Sequence, residues 1–396
     1  MTRKEFLKDI TALGIGLPFL GALLASCEDD PLLNPDFNID FSGKVLIIGA
    51  GSAGLTAGYI LNKYNVDFQI IEAAAVFGGR MKRSDDFTTV PIDLGAEWIH
   101  TDPDILSNIV NNSDLSVDID LVRYRPQTHA TWEDGQYKKR NFARHFYAEY
   151  KFKSTTWYGF FEKFIVPDIA DKIVYNTPIN SVNYSGDKVV VRTANNEIYE
   201  ADKILMTVST SILKSDMITF TPSLPTEKTQ ALDRAYMPDG IKVFMEFSER
   251  FYPDLLSIGG LIGENAQERL FYDAMFRKEV SNHILALFNV GESAGEYTNL
   301  ATEDEIINKV LSQLDEIFDG KASETYQSHI IQNWSKEPYV LGSYTYFTSD
   351  DEATVEALAA SIDDKVYFAG EATVYESGST VHGAAESAYE TIQTMF

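Results

Sequence analysis

The chain has 396 residues, with 33 Lys and Arg against 59 Asp and Glu, giving a formal net charge of −26. Such acidity argues against a nucleic-acid partner and would draw in cationic small molecules, while a single cysteine leaves no disulfide to be built inside the chain. A hydrophobic content of 44% with 12% aromatic residues suits an ordered globular protein, and the length suggests two domains.

The opening MTRKEFLKDI carries Arg3, Lys4 and Lys8, and an apolar stretch from Ile10 to Ala25 follows, broken by Gly14, Gly16, Pro18 and Gly21. It is shorter than the roughly 20 residues of a membrane span. A basic head, a short apolar middle and small residues at the end describe an export signal. The tetrapeptide LASC, ending at Cys27, resembles a bacterial lipobox, and TRKEFLK resembles the twin-arginine signature with Lys4 in place of the second arginine. These resemblances imply a signal over 1–26, lipidation at Cys27, a tether over 27–40, and an extracytoplasmic protein anchored to a bacterial membrane, on the periplasmic side or at the cell surface. One acyl chain binds membranes only weakly, so stable anchoring implies more than one. A buried N-terminal helix is the alternative, which the Gly and Pro interruptions disfavour.

Past the tether, GKVLIIGAGSAGLTAGYILNKYNVDFQIIE predicts a buried parallel strand ending at Gly49, a helix from Ser52 to about Lys63, and a second strand, DFQII, ending at Glu72. Gly49, Gly51 and Gly54 form G-x-G-x-x-G, with Ser52 and Ala53 inside it. Glycines permit a tight turn and close approach to a pyrophosphate, the helix start faces the anion, and the acid bonds a ribose hydroxyl. Strand, glycines, helix, strand and acid at this spacing predict a dinucleotide site without separating NAD from FAD.

The segments AVFGGRMKR and PIDLGAEWIH, and then NTPINSVNY, ITFTPSLPTEKTQAL, GIKVFMEFSERFYP, NWSKEPYVLGSYTYF and VYFAGEATVYESGSTVHGAAESAYETI, resemble in order the flavin-containing amine oxidase family. The match covers most of 43–396, with a gap at about 105–155. It implies an α/β fold in which a Rossmann-like FAD-binding domain, assembled from 41–100, 172–222 and 330–396, carries an inserted α+β substrate domain over 101–171 and 223–329. The cofactor implied is FAD, lined by Gly79, Arg80, Gly95, Ala96, Glu97, Trp98, Ile179, Trp334, Gly370, Glu371, Thr380 and Val381. Ser343 stands where monoamine oxidases tether flavin through cysteine, which implies noncovalent binding.

In this family the flavin takes a hydride equivalent from the carbon beside an amine nitrogen, and the protein positions and polarises. Lys242 matches the lysine that holds a water against the flavin, although strand alternation alone puts residues 242, 244 and 246 on a solvent face. Tyr344 matches one wall of an aromatic sandwich, whereas Thr380 replaces the other. His100, in GAEWIH, resembles the Trp-Ile-His of spermine oxidases, so it either contacts substrate or is a hydrogen-bonded surface imidazole. Glu97 either pairs with a distal ammonium or is a solvated loop acid. His129, His145, His283 and His329 lack metal-ligand spacing, and no metal is expected.

The run ATEDEIINKVLSQLDEIFDG predicts an amphipathic helix with a capping box from Thr302 and Glu305, an apolar stripe of Ile306, Val310, Leu314 and Ile317, and an end at Asp319-Gly320. The helical part of the substrate domain, between Asp102 and Tyr175, reads as reduced. The activity expected is oxidation of an amine, polyamines included, with oxygen or another acceptor taking the electrons. A dehydrogenase, a desaturase, an amino-acid oxidase using Arg123 or Arg125 for a carboxylate, or a non-catalytic flavin-binding module are the alternatives.

Overall fold

The computed structural model describes residues 32–33, 37–140, 149–259, 268–348 and 352–396; the expected export signal, Cys27 and His145 lie outside the described residues. Lys44–Ile48, apolar almost throughout, is the centre of a five-stranded parallel sheet. Asp67–Ile71 pairs on one side and Lys203–Met206 on the other, with Ile173–Val174 and Val366–Phe368 at the two edges. Strands covered on both faces need continuous apolar runs, which KVLII and KILM supply.

The crossover helix Ser52–Lys63 packs with the C-terminal helix Val381–Met395 and with Trp157–Phe164 in one core, around Val45, Ile47, Leu55, Ile60 and Ile70. Trp157–Phe164 thus packs on the dinucleotide side, although its sequence falls inside the stretch expected for the substrate domain. A four-stranded sheet of Ile179–Asn183, Val189–Thr193, Ile198–Ala201 and Thr219–Thr221 packs near the other face.

A second body is built on a seven-stranded sheet in the order Tyr326–Asn333, Gly240–Phe247, His283–Val290, Glu268–Asp273, Leu255–Ile258, His129–Glu133, Gln136–Arg140. Residues 330–333, expected in the dinucleotide domain, are strand residues of this sheet. The helix Glu303–Phe318 forms with the expected capping box, and its stripe of Ile306, Val310, Leu314 and Ile317 covers Ile241, Val243 and Met245. Alternation then turns Lys242 and Phe244 to the opposite face, where Phe244 packs with Ile92, Leu94 and Tyr272. That face is covered, so Lys242 is not a solvent-face residue; it is 2% exposed. A three-stranded sheet sets Glu149–Phe152 between Trp98–Ile99 and Leu121–Tyr124, with Lys151 directly opposite Trp98.

Candidate active site

The carboxyl ends of the parallel strands converge on one edge, the usual ligand crevice of such sheets. Gly49 follows the central strand at φ +110, and a side chain there would meet the Thr207 hydroxyl at 2.7 Å. Gly54 packs so closely that any Cβ would run into the Gly49 carbonyl. Gly51 differs: a Cβ built on it meets nothing within 4 Å. It is also the N-cap of Ser52–Lys63, in extended conformation and without a side-chain cap, so the first-turn N–H groups have no side-chain acceptor from the cap. Glu72, ending the neighbouring strand, accepts N–H bonds from Ala50 at 2.6 Å and Ala74 at 2.8 Å, one on each oxygen. Each oxygen keeps a further lone pair for a hydroxyl. Ile179 begins its strand two residues after Thr177, whose N–H donates to the Glu72 carbonyl.

A second helix start meets the first. Ser52 Oγ donates to the Val381 carbonyl at 2.8 Å, which sets the beginning of Val381–Met395 beside that of Ser52–Lys63. Thr380 caps the later helix: its Oγ1 accepts from Gly383 N at 2.9 Å and donates to Ser377 O at 2.6 Å. The Thr380 hydroxyl, expected among the catalytic groups, is engaged in aiming this helix.

Glu371 joins three segments. Its Oε1 takes Arg80 Nη1 at 2.9 Å and Thr345 Oγ1 at 2.7 Å, while Arg80 also donates to the Ser343 carbonyl at 3.2 Å. Gly370 has φ +154 and open space where a Cβ would lie, and Gly79 has φ +55. Ala96 N donates to Arg80 O, and a Cβ on Gly95 would strike the same oxygen and the Trp334 ring. Trp334 is buried and donates Nε1–H to Leu94 O at 3.1 Å.

At the end of this Leu-Gly-Ala stretch lies a buried charge cluster. Glu97, 4% exposed, takes Lys242 Nζ on Oε2 at 2.8 Å, Lys151 Nζ on Oε1 at 2.5 Å, and the Tyr272 hydroxyl. Lys242 also donates to Asp93 O at 3.3 Å. Burial pushes the Glu97 carboxyl up, but Lys151 and Lys242 outweigh it and hold it down at about 2. Asp93 accepts Trp157 N–H at 3.1 Å and makes no ion pair among the described residues; burial, then the Glu97 charge, push it up to about 8, against the weaker pull of Lys278 and Lys242. Burial likewise lowers Lys242, against the pull of Glu97. With both oxygens engaged by cationic side chains and a hydroxyl, Glu97 holds two protein ammoniums instead of a substrate's.

His100 faces Glu149, Nδ1 to Oε1, at 2.9 Å. Tyr344 and Tyr346 pair through their hydroxyls at 3.1 Å with rings 5.2 Å apart. Ser343 Oγ donates to Pro238 O. Arg123 and Arg125 are exposed on either side of the inward Tyr124, and the Arg123 guanidinium lies 6.0 Å from the Tyr150 ring centre.

The family model described as flavin containing amine oxidoreductase matches residues 165–394. The chain belongs to this family. A model for an NAD(P)-binding Rossmann-like domain matches residues 47–111, over the glycine turn. Among relatives of the family, lysine-specific histone demethylase 2 of Homo sapiens is 23% identical across 91% of this chain and 54% of its own length. Polyamine oxidase 4 of Oryza sativa subsp. japonica is 28% identical over 54% of this chain and 42% of its own. The chain spans 13–54% of the length of the curated relatives it matches. In fold it is similar to cyclohexylamine oxidase from Brevibacterium oxydans IH-35A, with TM-score 0.72, 15% identity, and coverage of 90% of this chain and 99% of that one.

The residues fit the family's FAD. Gly51 leaves open space at an uncapped helix start, Gly79 packs against its backbone, Glu72 keeps lone pairs beside it, and the Val381 helix start stands next to it. Gly51, Ser52 and Ala53 would hold the diphosphate, Glu72 the ribose, and the Arg80–Glu371 pair, Gly95–Ala96, Trp334 and Val381 the flavin end.

Four further residues escaped sequence reading. Asp93 sits in a matched segment, where a buried strand acid was the available signal. Tyr272 and Lys151 had none: Lys151 lies in the unmatched gap, and its partners come from residues 97, 98, 124 and 272. His382, within VHGA, is buried; among the described residues its Nδ1 has no hydrogen-bond partner, and burial, then His100, lower its pKa to about 3.

Proposed function

We propose that the chain oxidises a primary or secondary amine to an imine with noncovalently held FAD, and that oxygen, reduced to hydrogen peroxide, is the final acceptor. When bound, the flavin supplies the acceptor for a hydride equivalent from the carbon beside the nitrogen. The observation that carries the reading is Lys242, a charged side chain at mid-strand that is turned inward onto Asp93 O and Glu97, in the stretch under Trp334. Its ammonium is fixed by two acceptors, which leaves one N–H direction for a water at the reacting edge. Burial around it favours the neutral form of an amine substrate, whose lone pair drives hydride departure. Tyr344 and Tyr346 supply an aromatic wall. A polyamine-like substrate is supported by the likeness to polyamine oxidase 4 and by the acidity of the chain. Noncovalent binding is supported by Ser343, which offers no thiol.

The test is to purify residues 28–396, record a visible spectrum, and follow anaerobic bleaching against a panel of polyamines, alkylamines and amino acids. Bleaching by an amine, with peroxide on readmitting air, supports the reading. A flavin that no amine bleaches overturns it, and one that air does not restore replaces oxygen with another acceptor. We further propose lipid anchoring at Cys27 on the outer side of a membrane, supported by LASC and the basic head. Mass analysis of the mature N-terminus tests this, and an unmodified Cys27 on an uncleaved chain would refute it.

A further inference from the structure

Lys151 is 3% exposed and lies mid-strand between Trp98 and Val122. Its Nζ sits 5.3 Å from the Trp98 ring, 5.1 Å from Tyr124 and 4.8 Å from Tyr272, each within cation–π range. Glu97 Oε1 faces it at 2.5 Å, and among the described residues no hydrogen-bond acceptor meets the Nζ in good geometry. The ammonium is therefore held as a point charge, by three ring faces and one carboxylate.

We propose that Lys151 is a positioning residue, a built-in cation whose aromatic cage fixes Glu97 and, through it, sets the place and charge state of the reactive-site lysine, Lys242. The inference rests on the proposed role of Lys242. Glu97 has two oxygens, and Lys151 occupies one, so the carboxylate cannot swing away from Lys242 on the other. Two ammoniums also share a single negative charge, which weakens the hold of Glu97 on the Lys242 proton. Around Lys242 the facing groups are Glu97, Asp93, Lys151, Tyr272 and Lys278. Burial lowers Lys242, Glu97 and Asp93 raise it, and Lys151 lowers it further. Lys278 is lowered by burial, then by Lys151. A neutral Lys242–Glu97 pair alone would keep the proton more tightly; the caged charge loosens it without touching substrate.

The test reads Lys242 directly. The whole chain is labelled with ¹³Cε lysine, the Lys242 signal is assigned by its loss in Lys242→Met, and its titration is followed in wild type, Lys151→Gln and Lys151→Arg. In Lys151→Gln the Lys242 midpoint should rise by about one pH unit, a tenfold gain in proton affinity, and any limb of the flavin-reduction profile that Lys242 sets should rise with it. Lys151→Arg, which restores the cation, should return both toward wild type. A Lys242 midpoint unchanged in folded Lys151→Gln overturns the proposal. Should that variant fail to fold, Tyr124→Leu removes one wall and keeps the charge; a smaller upward shift supports the cage, and no shift overturns it. If the midpoint moves as expected while no amine reduces flavin even in wild type, the coupling stands and the amine oxidase reading falls.

Discussion

The guanidinium of Arg80 meets Oε1 of Glu371 at 2.9 Å, joining the turn after the second strand of the parallel sheet to the turn after the last, across 291 residues of chain. Glu371 is 7% exposed and serves Thr345 as well. Charge-assisted bonds of this kind contribute about 1.5–3 kcal/mol. Glu371→Gln should lower the melting temperature and weaken FAD retention about tenfold, a loss of about 1.4 kcal/mol, read by thermal melts and flavin release on dilution.

The two glycines of the turn should fail in different ways. Gly51→Ala adds one carbon that meets nothing within 4 Å, so the protein should melt near wild type yet emerge colourless, with FAD affinity down about 100-fold or more because the diphosphate loses its close approach. Gly54→Ala meets the Gly49 carbonyl, and overpacking of this kind costs about 1–3 kcal/mol. Melts and visible spectra of the pair separate a ligand cradle from a packing constraint.

Lys242→Met leaves Glu97 with Lys151 and Tyr272, so FAD should still bind while anaerobic flavin reduction slows by about 10²–10⁴-fold, the range for a positioned proton donor or acceptor. Glu97→Gln strands two buried ammoniums, and removing one partner of a buried pair costs about 3–5 kcal/mol. The expected order in urea denaturation is wild type most stable, Lys242→Met next, Glu97→Gln last.

Stability against pH should carry two opposed signatures. The Glu97 carboxyl is held at about 2, below its ordinary 4.5, so its contribution is full above about 4.5 and is lost as pH falls toward 2. The Asp93 carboxyl is pushed up to about 8 from 3.8; folding favours its protonated form, so its contribution is full below about 3.8 and is lost as pH rises toward 8. Asp93→Asn keeps an acceptor for Trp157 N–H and cannot ionise. The variant should match wild type near pH 4 and exceed it by at least about 1 kcal/mol at pH 8, one pKa unit's worth, in urea titrations at each pH.

Much of the cofactor half was legible because its signals are local. Gly49, Gly51, Gly54 and Glu72 sit within 24 residues, and the strand, turn and helix they require are encoded in that same span. The helix Glu303–Phe318 was legible for the same reason, since cap, stripe and stop are near neighbours. Lys242 marks the limit. Alternation put it correctly on one face with Phe244, but whether that face is wet depends on Ile92, Leu94 and Tyr272, which are distant in sequence.

Periodicity, glycine spacing and charge, properties of neighbouring residues, determined the dinucleotide turn, the parallel strands and the amphipathic helix. Tertiary structure alone decided that Glu97 holds two lysines and that Lys151 is enclosed by Trp98, Tyr124 and Tyr272. Burial and Coulomb attraction act through space, so the roles of these charged groups were fixed only when strands from five separate stretches of chain closed around them.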